Sequence, residues 1–488
     1  MTDIYLHGLE TIEKNNGPRP VETVDTGIIG LIGTAPDAIA ADWPLNKPVA
    51  IFGINGSVQG LGETGTLPDA IDDIFSQAGR VSQTIVVIRV TEGVDAKSTL
   101  ANIIGDVTAR TGVHAFRNAP NDLGLTPKIL IAPGFTSARP VDGVASIAVD
   151  TGGVGYTSVP TVSIDGDGSG ATATAVINSV DGTVTEIVLE TAGYGYTVAP
   201  TVTISGGGAT EDATATATLG SVANPATIEL LKLAPFFRAV VLKDGVATSS
   251  TDAVNDRKDY DTDRLMIIEP MVKVFRDGGV VNTPASPMVA GLTARVDYEE
   301  GFWVSPSNHV IQGIVGTSRS VDHSINDPSA ESQYLNKNEV SCVVRSPSGG
   351  FKLWGNRVTS SDSLRKFMSV RRSHDTIISS IERACEPFID KPFGLQVLLD
   401  IAETVNAALR RWEALGATLG GRVWLDPTLN TKETWASGHL YVSYDAEGPA
   451  PIEHITFMFN RNTGYYEDLS QTAAREIARM AGSAAANV

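Results

Sequence analysis

A repeat interrupts this chain and constrains how everything around it can fold. Gly153-Val154-Gly155-Tyr156-Thr157-Ser158-Val159-Pro160-Thr161-Val162-Ser163-Ile164 returns as Gly193-Tyr194-Gly195-Tyr196-Thr197-Val198-Ala199-Pro200-Thr201-Val202-Thr203-Ile204. An alternating strand precedes each copy (Ile147 and Val149; Ile187 and Leu189), and an Ala/Thr strand follows at 171–176 or 213–219. A period of about 40 residues occurs in solenoids and propellers, but two copies are too few to stack as an array. Residues 141–222 therefore read as a small all-β module of two similar halves, with Thr/Val strands and Gly turns. The flanks mark it as an insert. Lys128-Ile129-Leu130-Ile131-Ala132-Pro133-Gly134 reads as a buried strand ending in a turn, Pro225–Lys232 opens a helix, and Phe237–Lys243 reads as the next strand. Without 141–222 this is an ordinary strand–helix–strand unit.

The same alternation continues on both sides. Thr84–Val90 and Leu265–Glu269 read as strands, and helices are expected near 67–79, 97–104, 225–234 and 285–297. The fold class is thus α+β and multidomain: a mixed α/β core with helices covering a sheet, plus the β insert. Further on, Val340–Arg345 and Phe351–Trp354 form a hairpin across Gly349-Gly350. Helical stretches follow at 361–388 and 393–415, where Leu398, Ile401, Val405 and Leu409 share one face. Leu440–Tyr444 and Ile452–Phe459 read as hairpin-like strands before a terminal helix.

Composition narrows the function classes. The 488 residues carry 37 Lys+Arg against 56 Asp+Glu, a net charge of −19, which disfavours a nucleic-acid binder that needs clustered cations. Residues 141–225 hold nine acids and no Lys or Arg, so nearly half of that charge lies in or beside the insert. Two cysteines exclude a disulfide scaffold and a Cys-rich zinc module. The N-terminus lacks a basic stretch followed by an apolar run, so no secretory signal is read, and no apolar run suits membrane insertion. A protein made and soluble in a cytoplasm is expected.

Candidate chemistry is sparse. Gly60-Leu61-Gly62-Glu63-Thr64-Gly65, with Glu92 after the next strand, resembles a dinucleotide fingerprint. The apolar run Val49–Phe52 ends too early to lead into it, so a Gly-rich loop is the simpler reading. Asp165-Gly166-Asp167-Gly168-Ser169-Gly170 resembles half a calcium loop, but Val176 stands where a bidentate Glu belongs. The seven histidines show no metal spacing, and no Ser lies on a nucleophile elbow. Asp72 and Asp73 read as the solvated side of a helix. No catalytic, cofactor or metal site is expected, and the protein is not read as an enzyme.

Motifs spread along the chain carry a family resemblance. They are His7-Gly8, Val24-Asp25-Thr26-Gly27-Ile28-Ile29-Gly30-Leu31-Ile32-Gly33-Thr34-Ala35-Pro36, Pro44–Val49, Gly65-Thr66-Leu67, Ile85–Val90, Trp354-Gly355-Asn356-Arg357 and Lys391-Pro392-Phe393. In this order and spacing, over 1–140 and 223–488, the chain resembles the tail sheath proteins of contractile-tailed bacteriophages, near the temperate myophage and R-type pyocin branch. The resemblance implies a homo-oligomer of hexameric rings stacked helically around a tail tube, with baseplate and tail terminator proteins as further partners. It implies assembly in the host cytoplasm, a place in the virion, and contraction that drives the tube through the host envelope.

The same resemblance implies terminal arms that add strands to a neighbour's sheet. Ile28, Ile29, Leu31 and Ile32 at one end, and Ile455, Phe457 and Phe459 at the other, have the required extended pattern, although both also suit intrachain strands. Residues 9–23 suit a linker. The expected division is an arm at 1–23, sheath core at 24–140, insert at 141–222, core again at 223–350, a C-terminal domain at 351–450, and a strand-and-helix arm at 451–488. Trp354 and Arg357 are read as fold anchors, one filling core and one pairing with an acid. Cys342 and Cys385 are small buried side chains by default; the sharper expectation is an intersubunit disulfide in released particles. The rival reading is an adhesin-like tail surface protein whose insert binds host glycan.

Overall fold

Runs such as Ile29-Gly30-Leu31-Ile32 and Ile85-Val86-Val87-Ile88 are apolar at every position, which suits strands covered on both faces. A computed structural model, describing residues 21–53, 58–79 and 81–485, places them accordingly. The first stretch contains β1 (Ile29–Thr34), β2 (Pro48–Gly53), α1 (Leu67–Phe75), β3 (Gln83–Val90), α2 (Ala96–Ile104), α3 (Ala119–Leu123) and β4 (Ile129–Ile131). The insert contributes β5 (Gly143–Thr151), β6 (Thr161–Asp165), β7 (Ser169–Asn178), β8 (Thr183–Tyr194), β9 (Thr201–Ser205) and β10 (Thr214–Gly220). The chain then returns through α4 (Pro225–Phe237), β11 (Val240–Asp244), α5 (Ser250–Arg257), β12 (Leu265–Glu269), β13 (Val272–Arg276), β14 (Gly279–Thr283) and α6 (Ser286–Glu299). After β15 (Val310–Ile311), β16 (Ile314–Thr317) and α7 (Glu331–Lys337) come β17 (Val340–Arg345) and β18 (Phe351–Trp354).

These strands form a nine-stranded sheet in the order β15-β18-β17-β12-β11-β4-β1-β3-β2. The six strands from β17 to β3 are parallel, and the antiparallel β2 and β18 flank them. Odd and even positions of β1 feed two different cores. Ile29 and Leu31 pack with α1 and α6, whereas Ile28 and Ile32 pack with Phe116 and the α4 residues Leu230 and Phe237. Gly30 is required by close approach: a Cβ there would lie 2.8 Å from Leu130 and 3.1 Å from the Phe116 ring.

The insert's halves exchange strands. β5 of the first half pairs with β10 of the second, β8 of the second pairs with β7 of the first, and β6 pairs with β9 between them. Tyr156 and Tyr196, the repeated tyrosines, are both buried inside. The module is fastened to the sheet at its root. Asn224 caps α4 through the Thr227 N–H (3.0 Å) and donates its amide to the carbonyls of Phe135 (2.9 Å) and Ala138 (3.0 Å). Arg139 donates twice to Asp259, at 2.6 and 2.8 Å. Lys97 of α2 reaches up to the carbonyls of Asp167 (2.9 Å) and Gly195 (2.8 Å).

The C-terminal third adds α8 (Met368–Cys385), α9 (Leu395–Ala414), β19 (Gly421–Trp424), α10 (Lys432–Ala436), β20 (Ser443–Ala446) and α11 (Gly464–Ala485). Ile377 and Ile381 of α8 meet Val405, Leu409 and Trp412 of α9 in a third core that also takes in Val21. The opposite side of α8 binds the main sheet domain through charge: Arg264 donates to Asp375 at 2.7 and 3.0 Å, and Arg372 pairs with Asp297. Burial opposes the Asp375 charge, but bonds from Arg371 and Arg264 outweigh it and hold the carboxyl below its usual range. Residues up to Ala450 form one unit and Pro451 onward another.

Candidate functional site

Two apolar segments carry the expectation of strand addition, and they differ completely in exposure. Ile28 is buried, and Ile29, Leu31 and Ile32 show no exposed area at all. β1 pairs in register with β3 on one side (Ile29 with Ile85) and β4 on the other (Ile29 with Ile129). Neither edge is open, so the expectation for Ile28, Ile29, Leu31 and Ile32 is corrected: Ile29, Leu31 and Ile32 build an intrachain strand at the centre of the sheet, and Ile28 is buried just before it. Residues 1–20, which include His7-Gly8 and most of the linker, lie outside the described residues. Val21–Val24 lie along the C-terminal third, where Thr23 accepts from the Trp412 indole (3.2 Å) and the Val24 N–H donates to Ser380 (3.1 Å).

The second segment is open to solvent. Ile455, Phe457 and Phe459 are 62%, 89% and 91% exposed, and residues 451–462 belong to no helix or strand. The hairpin expected between 440–444 and 452–459 is therefore absent. Ser443–Ala446 pairs instead with Gly421–Trp424, a strand whose only sequence signal is the alternation of Arg422-Val423-Trp424 after Gly420-Gly421. Along α11, Tyr466, Leu469, Ile477 and Met480 are exposed at helical spacing. Burying a large apolar side chain is worth about 1.5–3 kcal/mol, so this arm holds a sizeable unspent driving force.

The β19–β20 ribbon has matching character. Each strand pairs only with the other among the described residues, leaving both outer edges unpaired. Val423, Tyr444 and Ala446 cover the α8–α9 core on one face. Trp424, Leu425, Leu429 and Tyr441 are exposed around it, and Phe393 stacks on Trp435 with ring centroids 5.5 Å apart.

Cys342 is wholly buried in β17, its thiol donates to the Trp354 carbonyl (3.4 Å), and burial pushes its proton affinity well up. A disulfide through Cys342 would require opening the sheet, so that expectation is corrected. Cys385, the last residue of α8, is half-buried, and burial raises its pKa. Trp354 packs against the core, with the Lys352 ammonium 4.3 Å from its ring centroid and the His323 ring edge-on at 4.9 Å. Arg357 bridges to Phe367 through its backbone.

Gly65 does not serve a nucleotide fingerprint. At φ +92° its Cα passes so close to β1 that a Cβ would sit 2.3 Å from the Thr34 carbonyl oxygen. The cleft beside it, about 530 Å³, is lined by Thr34, Thr66, Glu92, Asp95 and Asn224. It lies where an open α/β sheet commonly binds ligands, yet Asp95 is committed to capping α2 through the Ser98 N–H (2.7 Å). In the half-calcium loop, Asp167 accepts from the Thr197 hydroxyl and N–H, as a turn does. Asp73 was misread as solvated: it is buried, accepts from Arg276 (2.8 Å) and Thr283 (2.9 Å), and burial lifts its pKa to about 6.

An exposed apolar arm and a ribbon with unpaired outer edges are features suited to association. Family models agree. The phage tail sheath protein central domain matches residues 235–359, the phage tail sheath C-terminal domain matches 360–461, and the N-terminal region of tail sheath protein Gp18 domain III matches 26–90. The tail sheath protein of Burkholderia phage BcepMu is 31% identical over 477 residues, covering 93% of this chain and 96% of that protein. The chain belongs to the phage tail sheath family. The sheath protein of Escherichia phage P2 is 26% identical, over 93% of this chain and 94% of its own. The sheath fold is shared with the contracted PVC sheath complex of an extracellular contractile injection system, at 14% identity and a TM-score of 0.58, covering 95% of this chain and 100% of that one. As a tail sheath protein, the chain is a structural component of the virion, and no described helix is long and apolar enough to cross a membrane.

Proposed function

We propose that this sheath subunit polymerises as hexameric rings stacked around a tail tube, and that its C-terminal arm joins neighbours by adding residues 452–459 as a strand to the next subunit's β19–β20 ribbon. One observation carries the reading: Ile455, Phe457 and Phe459 alternate along a segment outside any helix or strand and are 62–91% exposed in the single chain. A strand added to an open edge gains main-chain hydrogen bonds, while every second side chain is buried against the ribbon face. The other arm in this reading is the segment before Val21, since Val21 and Thr23 are held by the α8–α9 core of their own chain. Residues 24–140 and 223–359 form the rigid sheath core, because β18 belongs to its sheet and corrects the boundary expected at 350, and 360–450 form the docking domain. The tube, the baseplate and the tail terminator are the remaining partners.

Head-to-tail packing of this kind is open, so one interface repeats along the tail. If two packings of the cores differ by a few kcal/mol per subunit, the assembled form is metastable and the summed difference does work on contraction, driving the tube through the host envelope. Strand-linked arms keep neighbours joined while cores rotate. The insert stands outward and acidic, and the like charges keep particles apart.

Truncation after Ala450 tests the reading. Electron micrographs should show tubes from the full chain and dispersed subunits from the truncated one, with the unfolding midpoint of the subunit unchanged. Tubes from the truncated chain would refute it.

A further inference from the structure

The residues that lead into the arm rest on α8 at a histidine. His374 stands mid-helix, and its Nε2 is buried without a hydrogen-bond partner. The buried backbone of Gly448 closes over it: a Cβ built there would lie 4.0 Å from Nε2 and 3.5 Å from the Ser373 Cβ. Four charged groups act on the ring's charge. Arg371 and Asp375 come from α8, Arg365 from the turn before it, and Glu447 from the segment after β20. Asp375 is already committed to Arg264 and Arg371. Glu447 is exposed and forms no ion pair among the described residues.

A neutral imidazole suits this setting because its unprotonated nitrogen can go unpaired at modest cost. An imidazolium does not, since both nitrogens then donate and a buried donor without an acceptor is expensive. Burial accordingly lowers the proton affinity of His374, with Glu447 pulling the other way and Arg371 adding to the effect of burial. Glu447, a carboxylate with no ion pair among the described residues, is one residue from Gly448.

We infer that His374 is a proton-operated latch on the root of the C-terminal arm. Neutral, it packs beneath Gly448; protonated, it draws in the Glu447 carboxylate and redirects Glu447–Ala450. A rearranged root that supplies an acceptor binds the proton more tightly than the closed one. Acidification to below the ordinary histidine midpoint of about pH 6.5 therefore drives the change, and neutral pH restores the closed root. The consequence for assembly rests on reading 451–488 as the linking arm, but the latch itself is a property of the single subunit.

Mass-spectrometric hydrogen exchange at the histidine C2 positions and at backbone amides, on the dispersed full chain across a pH series, tests it. His374 should titrate below the ordinary histidine midpoint, and Glu447→Gln, an exposed change that leaves the fold intact, should lower that midpoint further. Backbone exchange at 446–450, divided by the intrinsic amide rate at each pH, should rise severalfold from about pH 7.5 to about pH 5.5 in the native chain and stay flat in His374→Gln. The latch is overturned if Glu447→Gln leaves the His374 midpoint in place, or if His374→Gln keeps the rise. Neither readout depends on tube formation, so a failure of the arm reading would show separately.

Discussion

Strand β1 and the arm at 452–459 are apolar segments of similar length, and one chain puts them to opposite uses. Ile29–Thr34 has a parallel neighbour on each edge and a helical layer on each face. Residues 452–459 have neither, with Phe459 91% exposed. The difference lies in the side-chain pattern. A strand apolar at every position can be satisfied only inside a two-faced sheet. As a strand, Ile455, Phe457 and Phe459 alternating with His454, Thr456 and Met458 would present one dry face and one wet one, which in the proposed reading a partner's open ribbon edge supplies.

The comparison can be broken most sharply at the arm. Changing Phe457 and Phe459 together to Asp should abolish tube formation on electron micrographs while leaving the urea midpoint of the dispersed subunit where it was. A fall in that midpoint would mean the arm stabilises its own chain. At β1 the reverse is expected. Leu31→Ala should cost about 2–5 kcal/mol in urea unfolding, the range for a buried Leu, while subunits that remain folded still assemble.

A smaller effect follows from Asp73, whose folded pKa of about 6 lies above its ordinary value because burial disfavours the charge. A raised carboxyl contributes stability that is fully present below its unfolded pKa and lost as pH rises through the folded one. The native chain should therefore lose stability relative to Asp73→Asn between about pH 4 and pH 7, by roughly 3 kcal/mol at most at about 1.36 kcal/mol per pKa unit. Urea titrations of both proteins at several pH values would reveal a constant difference if this is wrong. The smallest change is expected at Lys97. Lys97→Met removes two bonds to insert carbonyls, and should cost about 1–2 kcal/mol and raise amide exchange near Gly195 without affecting assembly.

Much of the core was legible because its signals are local. Apolar runs, Pro near the first turn of α4 and the insert's repeat each mark an element without reference to distant residues. The site was legible only in part. Continuous apolarity at Ile28–Ile32 already pointed to a central strand, and the same logic applies to Cys342 inside Val340-Ser341-Cys342-Val343-Val344. The partner of Ser443–Ala446 was missed because its strand is short and follows a glycine pair. Burial of Asp73 depends on Arg276 and Thr283, some 200 residues away in the sequence, and no window reading can see that. The strand exchange within the insert is likewise invisible to a repeat, which fixes that two halves are alike but not whether each pairs with itself.

A cryo-electron microscopy map of assembled tubes tests the central claim most directly. The account predicts that residues 452–459 of one subunit lie as a third strand beside Gly421–Trp424 or Ser443–Ala446 of its neighbour, with Ile455, Phe457 and Phe459 facing inward. Density placing 452–459 on its own subunit, with the neighbour's ribbon edges left open, would contradict it.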